Sequence, residues 1–205
     1  MVSGAKEPPR ELPRPVDVRD ALREALDRVG STEPMALIGG VALAFHGIER
    51  YTKDVDLAVT VPTSSRVSSE LADWDPRVLS IGGVSIATPS GTRVDLIDRR
   101  VEFRALYEET IEDARKRGGK AIVGGHELPV ASLAYLVALK MAADRPKDEV
   151  DLTSILARPE LDYPEAREIV VRHVGYFAAR RLDRLARQAG RDDAPLDYEN
   201  GTMGR

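Results

Sequence analysis

The sequence contains no cysteine, which excludes both a disulfide framework and a thiolate metal site. It has no apolar run long enough to span a membrane and no leader pattern at its N-terminus. The expectation is therefore a soluble, cytoplasmic protein with no membrane partner. An excess of basic charge is also missing: 30 Lys and Arg stand against 34 Asp and Glu, a formal net charge of −4. Proteins that live on long duplex nucleic acid usually carry a basic excess, so only a local basic patch could serve that purpose here. No internal repeat is visible. What is present is 205 residues, 42% of them hydrophobic. That is enough for one cored domain, or a domain with a small helical extension.

Pro8, Pro9, Pro13 and Pro15 lie among charges at the N-terminus. Such a segment cannot bury enough apolar area to order itself, so residues 1–16 read as a flexible tail. Asp17 can cap a helix carrying Val18, Leu22, Leu26 and Val29 at helical spacing, with Gly30 as its stop. Met35 to Ile38 reads as a short buried strand, and Val41 to Phe45 as a short helix. Asp54 to Val61 is strand-like and stopped by Pro62. Ser64 to Ala72 reads as a helix. Val78 to Ala87 and Thr92 to Ile97 read as strands joined at Pro89-Ser90-Gly91. A helix follows over Val101 to Arg117, then a broken strand or hairpin over Ala121 to Leu128. Helical patterns fill the rest: Leu133 to Ala143, Asp148 to Leu156, and one longer run from Pro164 to Gln188. The order predicts an α+β fold, a small mixed sheet over 17–130 with a C-terminal helical region over 131–190 and a frayed tail over 191–205.

The chemistry concentrates between Gly39 and Val59. Asp54 and Asp56 are two apart, and on a strand such residues share a face. Paired carboxylates repel unless a cation lies between them, and Mg²⁺ takes oxygen ligands. The alternative is a solvated turn. In the later strand, Arg93, Asp95 and Ile97 share one face. Asp95 sits in an apolar stretch where an unpaired charge is costly. It reads either as a third ligand or base, or as the ion-pair partner of Arg93 or Arg50. Gly39-Gly40 lets the backbone approach a ligand, and the helix start after it offers amides to phosphate oxygens. A plain strand-to-helix turn needs the same glycines.

Taken together, Gly39-Gly40, the Asp54-x-Asp56 pair after thirteen intervening residues, and Asp95 on a further strand resemble the polymerase-beta-like nucleotidyltransferase superfamily. The string HG-x-x-R-x-T-x-D-x-D, His46 to Asp56, is similar to the signature of the bacterial group containing the AbiEii-type toxins. So is LKMAADRPKDEVDL, Leu139 to Leu152. The resemblance spans Met35 to Leu156. It implies Mg²⁺-dependent transfer of a nucleoside monophosphate from an NTP, ATP among the candidates, to an acceptor with release of pyrophosphate. It implies that Asp54, Asp56 and Asp95 are the catalytic and metal carboxylates, holding one Mg²⁺ or two. It further implies that Gly39, Gly40, Arg50, Thr52, Lys140 and Asp148 surround the nucleotide, with Arg145, Lys147 and Asp151 in the same block as Lys140. The wider superfamily usually places serine after its glycine, whereas here Gly40 and Val41 follow Gly39. Triphosphate contact would then rest on backbone amides and Lys140.

Other residues carry two readings each. His46 ends a short apolar helix and is either a hydrogen-bonded structural histidine or a catalytic one. Lys140 either meets phosphate or snorkels from an apolar helix face. Asp148 is either a site residue, a helix N-cap, or the partner of Lys147 in a surface ion pair. Arg180, Arg184, Arg187 and Arg191 recur at helical spacing and form either a phosphate-binding stripe for a tRNA or a salt-bridged face. The expected activity is nucleotidyl transfer to an RNA end, a protein hydroxyl or a small molecule, in a toxin with an antitoxin partner. The rival expectation is a non-catalytic nucleotide-binding or protein-interaction module of the same fold.

Overall fold

The structure is a computed structural model that describes residues 9–11, 16–49 and 52–195. Backbone contacts divide the chain into two units, Met1–Ser132 and Leu133–Arg205.

The first unit begins with β1 (Arg10–Glu11) and α1 (Val16–Val29). α1 buries Val18, Ala21, Leu22, Ala25, Leu26 and Val29, an apolar stripe at helical spacing that packs on the sheet. Gly30 closes the helix with φ +97° and donates its amide to the Leu26 carbonyl at 2.9 Å. β2 (Met35–Ile38) runs directly into α2 (Gly39–Phe45). β3 (Val55–Val59) leads into α3 (Val61–Glu70), where Pro62 takes a first-turn position and Thr60 caps. A 3₁₀ turn (Ala72–Trp74) precedes β4 (Arg77–Val78), β5 (Gly83–Ala87) and β6 (Arg93–Ile97). α4 (Arg104–Lys116), β7 (Gly119–Val123) and β8 (His126–Val130) complete the unit.

Among the described residues these strands form one eight-stranded mixed sheet, ordered β1-β7-β8-β2-β3-β6-β5-β4. β3 pairs antiparallel with β2 and parallel with β6, and β6 pairs antiparallel with β5. The register divides the central strands by face. Val55 and Leu57 share a face with Val94 and Leu96, and all four are 0% exposed. The opposite face carries Asp56 beside Asp95, then Ala58 beside Ile97.

The second unit is helical: α5 (Leu133–Ala143), α6 (Pro146–Leu156), α7 (Tyr163–His173) and α8 (Tyr176–Gln188). α5 packs on α6 and α7, and α8 on α6 and α7. No helix among the described residues is long and apolar enough to cross a membrane.

Several elements differ from expectation, each for a local reason. The run Val78 to Ala87 is two strands, because Gly82 and Gly83 turn the chain at φ +98° and +113°. The run Pro164 to Gln188 is two helices, because Gly175 adopts φ +109° between them. Within the predicted tail, Arg10–Glu11 pairs parallel with β7; residues 1–8 and 12–15 of that segment lie outside the described residues. At the other end Arg191 is anchored, its guanidinium donating to the carbonyls of Leu156, Arg158 and Leu161. Residues 196–205 also lie outside.

Candidate functional site

The sheet builds the site around one cross-strand row. Asp56 on β3 is the pairing partner of Asp95 on β6, of Ile38 on β2 by its other edge, and Asp95 in turn pairs with Ser85 on β5. Neighbouring strands lie about 4.8 Å apart, so the two carboxylates are direct neighbours on one face. Like charges at this spacing destabilise one another unless a cation or a donor intervenes.

Ile38 ends β2 and is the cap residue of α2, which puts the glycine pair beside the carboxylates. Gly39 has φ +67°, and a β-carbon built on it would lie 2.0 Å from Asp56 Oδ2 and 2.9 Å from Asp56 Cβ. The carboxylate thus occupies the space a side chain would need, and only glycine meets both the backbone and the steric demand. Gly40 stands against Thr52 in the same way, with its virtual β-carbon 3.0 Å from Thr52 Cβ. Thr52 donates its hydroxyl to the Asp54 carbonyl at 3.0 Å. No side chain caps the start of α2, so its first amides have no intrahelical acceptor.

Asp54 differs from the sequence argument. The strand starts at Val55, and Asp54 is an exposed residue at the bend before it. Strand parity therefore joins Asp56 to Asp95 but says nothing of Asp54. Among the described residues no group of three or more His, Asp or Glu side chains is arranged to hold a metal ion. The pair that the sheet brings side by side is Asp56 and Asp95. Arg50 lies outside the described residues.

Asp95 is not paired directly with Arg93, as one reading expected. Ser85 donates its hydroxyl to Asp95 Oδ1, and Arg93 Nε donates to Ser85 Oγ at 2.9 Å. Arg93 is held in turn by the Ser85 carbonyl at 2.8 Å and by Asp75. Ser85 was not among the sequence candidates. A signal for it existed: a hairpin turning at Ser90 pairs residues equally distant from the tip, which sets Ser85 opposite Asp95.

His46 is structural in this arrangement. Its Nε2 lies 2.8 Å from the Ala131 carbonyl, and a carbonyl can only accept, so Nε2 carries the proton.

In the helical unit, Lys140 is 5% exposed on an otherwise apolar helix. Its ammonium donates to Asp148 Oδ1 at 3.0 Å and to Asp151 Oδ2 at 2.5 Å. Asp148 sits in the first turn of α6. It accepts the Arg145 backbone amide at 3.1 Å and the Arg145 guanidinium at 2.7 Å, the reaching-back half of a capping box. Burial raises the pKa of Asp148, but hydrogen bonds from Arg145 and Lys140 outweigh it and hold the carboxyl below its ordinary value. Asp148 is thus neither an N-cap nor paired with Lys147. The arginine stripe is likewise divided. Arg191 stacks over Tyr163 and binds three carbonyls, Arg187 donates to the Pro195 carbonyl, and Arg180 and Arg184 are exposed. Asp183 pairs with Arg167, not with the stripe.

Seven solved chains resemble this one, among them the following two. One is an antigenic nucleotidyltransferase-like protein from Paracoccidioides brasiliensis, 17% identical over 83% of this chain and 90% of that one, with a TM-score of 0.46. The other is the antibiotic-resistance factor ANT(2'')-Ia, 18% identical over 84% and 90%, with a TM-score of 0.40. Similarity at this level carries no argument about chemistry. No curated protein matches the sequence. A family model does: that of the nucleotidyl transferase AbiEii toxin of type IV toxin–antitoxin systems, which aligns with residues 20–200. A match over that share of the chain, on a fold with an aspartate pair set against a glycine turn, means that the protein belongs to the AbiEii nucleotidyltransferase toxin family.

Proposed function

We propose that this protein transfers a nucleoside monophosphate from an NTP to an acceptor hydroxyl, at the site formed by Gly39, Gly40, Thr52, Asp54, Asp56 and Asp95, and that it acts as a toxin with an antitoxin counterpart. The observation that carries the reading is the contact of the Gly39 backbone with Asp56, itself the direct neighbour of Asp95. The donor set is all carboxylate oxygen, which suits Mg²⁺. Asp56 and Asp95 would hold it, with Asp54 entering from the bend before β3. When bound, the metal supplies charge neutralisation and polarisation at phosphate.

The chain's own residues do the rest. The amides of Gly39 and Gly40 present donors to triphosphate oxygens without a side chain in the way. Thr52 stands against the second glycine, where it fixes the segment leading to the carboxylates. The acceptor oxygen forms a bond to the α-phosphorus, and the bond from that phosphorus to the pyrophosphate oxygen breaks. In this reading a carboxylate oxygen of Asp95 receives the acceptor's proton. Positioning and electrostatics dominate in such transfers.

The test is incubation of the purified protein with each α-³²P-labelled NTP and, separately, total RNA, total protein and an aminoglycoside. Label transferred to one acceptor class by the parent, and lost in Asp56→Ala, supports the proposal. Full transfer by Asp56→Ala would displace the site, and absence of labelling with every NTP would favour a binding module.

A further inference from the structure

Ser85 lies on β5, two strands from Asp56, in the same cross-strand row. It is 6% exposed. Its hydroxyl has one proton to give and two neighbours. Arg93 Nε, at 2.9 Å, can only donate. The hydroxyl must therefore accept from Arg93 and donate to Asp95. The direction of the hydrogen bond is fixed by chemistry, not chosen by a free rotor.

Arg93 is itself immobilised. Its Nη2 donates to the Ser85 carbonyl at 2.8 Å and to the Asp75 carbonyl at 3.2 Å, and its Nη1 lies 3.3 Å from Asp75 Oδ2. The chain Asp75–Arg93–Ser85–Asp95 thus ends on one oxygen of Asp95. Among the described residues Ser85 is the hydrogen-bond donor to that carboxylate. Oδ1 is thus held from the β5 side, and Asp56 stands on the β3 side of Asp95.

We infer that Ser85 is a positioning residue for the cation site: clamped by Arg93, it holds Asp95 Oδ1 so that the other oxygen faces Asp56. The inference rests on the functional reading above and adds a residue that the signature strings do not contain. A hydroxyl in this role sets how well the carboxylate pair binds a divalent ion, because outer partners orient the ligands they touch. It does not touch the nucleotide or the acceptor.

The experiment measures Mn²⁺ binding by electron paramagnetic resonance on the full chain, with thermal melting of every variant in parallel. The parent should bind Mn²⁺ saturably, and Asp56→Asn should lose that binding. Ser85→Ala should bind about 10- to 100-fold more weakly, the range seen when outer partners are removed. Ser85→Thr, which keeps the hydroxyl, should bind within about threefold of the parent, a margin small beside that loss. Arg93→Gln removes the guanidinium that clamps the Ser85 hydroxyl, and it should weaken binding in the same sense even if Ser85→Ala does not fold. Unchanged affinity in a folded Ser85→Ala, or in Arg93→Gln where Ser85→Ala does not fold, would overturn the inference while leaving the carboxylate site standing. Equal weakening by alanine and threonine would overturn it too, since shape and not the hydroxyl would then matter. A parent with no Asp56-dependent binding would remove both the site and the inference.

Discussion

Replacing Lys140 with methionine probes the buried charge cluster of the helical unit. The side chains are of similar length, so the change removes an ammonium and leaves little cavity. What remains is Asp148 and Asp151, 1% and 6% exposed, without the cation that bonds both. Breaking a buried pair by removing one partner costs about 3–5 kcal/mol. The lower end applies, because Asp148 keeps Arg145 at 2.7 Å. For a chain of this size about 3 kcal/mol corresponds to a fall of about 6–12 °C in melting midpoint. Differential scanning calorimetry at neutral pH and low salt reads it. Reverting the charge imbalance with Lys140→Met plus Asp151→Leu should recover part of the loss, since replacing buried ions by apolar groups is often neutral or better. A single variant that melts within a degree or two of the parent would refute the reasoning, by showing that the carboxylates reach water or other donors freely.

Gly39→Ala should lose transfer activity and Mn²⁺ binding together, since its β-carbon would lie 2.0 Å from Asp56 Oδ2 and the left-handed backbone alone costs about 1–2 kcal/mol; activity and melting measured on one preparation check it. Asp56→Ala should slow transfer at least about a hundredfold, about 2.7 kcal/mol of barrier, measured by transfer of α-³²P label with the fold checked by circular dichroism. In acid, both Asp98 and Asp148 should contribute to unfolding. Burial opposes it, but hydrogen bonds from Arg100 and Ser64 hold Asp98 below its ordinary value, as Arg145 and Lys140 do for Asp148. Their folded values are depressed, so the stabilisation is present above the unfolded value of about 3.9 and is lost as pH falls through the folded one. Asp148→Asn should therefore show a shallower acid limb in a pH series of melting curves.

Much of this was legible because it depended on short-range pattern. Alternation set Asp56 apart from Val55 and Leu57, and Asp95 apart from Val94 and Leu96, but only the register of β3 and β6 put the two side by side; a glycine pair between a strand and a helix marked the turn beside them. The apolar spacing of Val18, Leu22, Leu26 and Val29 gave α1. What escaped depended on partners distant in sequence or on single backbone angles. Lys140 reads as a lone cation on a greasy helix until α6 brings Asp148 and Asp151 to it. Asp95 and Arg93, two apart on one strand, read as a pair, and the serine between them comes from the neighbouring strand. Gly175 looks like any tolerated helix glycine, yet its φ of +109° ends one helix and lets another begin. Asp54 reads as the first residue of a strand that in fact begins one residue later.

The change in polarity along β3 and β6 also bears on how the sheet finds its alignment. One face holds Asp56 beside Asp95, while Val55, Leu57, Val94 and Leu96 fill the other at 0% exposure. A slip of one residue between these strands would turn an aspartate into that dry layer and a valine or leucine out of it. An unpaired carboxylate there is far costlier than a lost leucine contact. The two aspartates thus also police the pairing of the strands that carry them. Neutralising them should leave a chain whose central strands are held in place by fewer constraints, and whose errors in pairing would be the first sign of it.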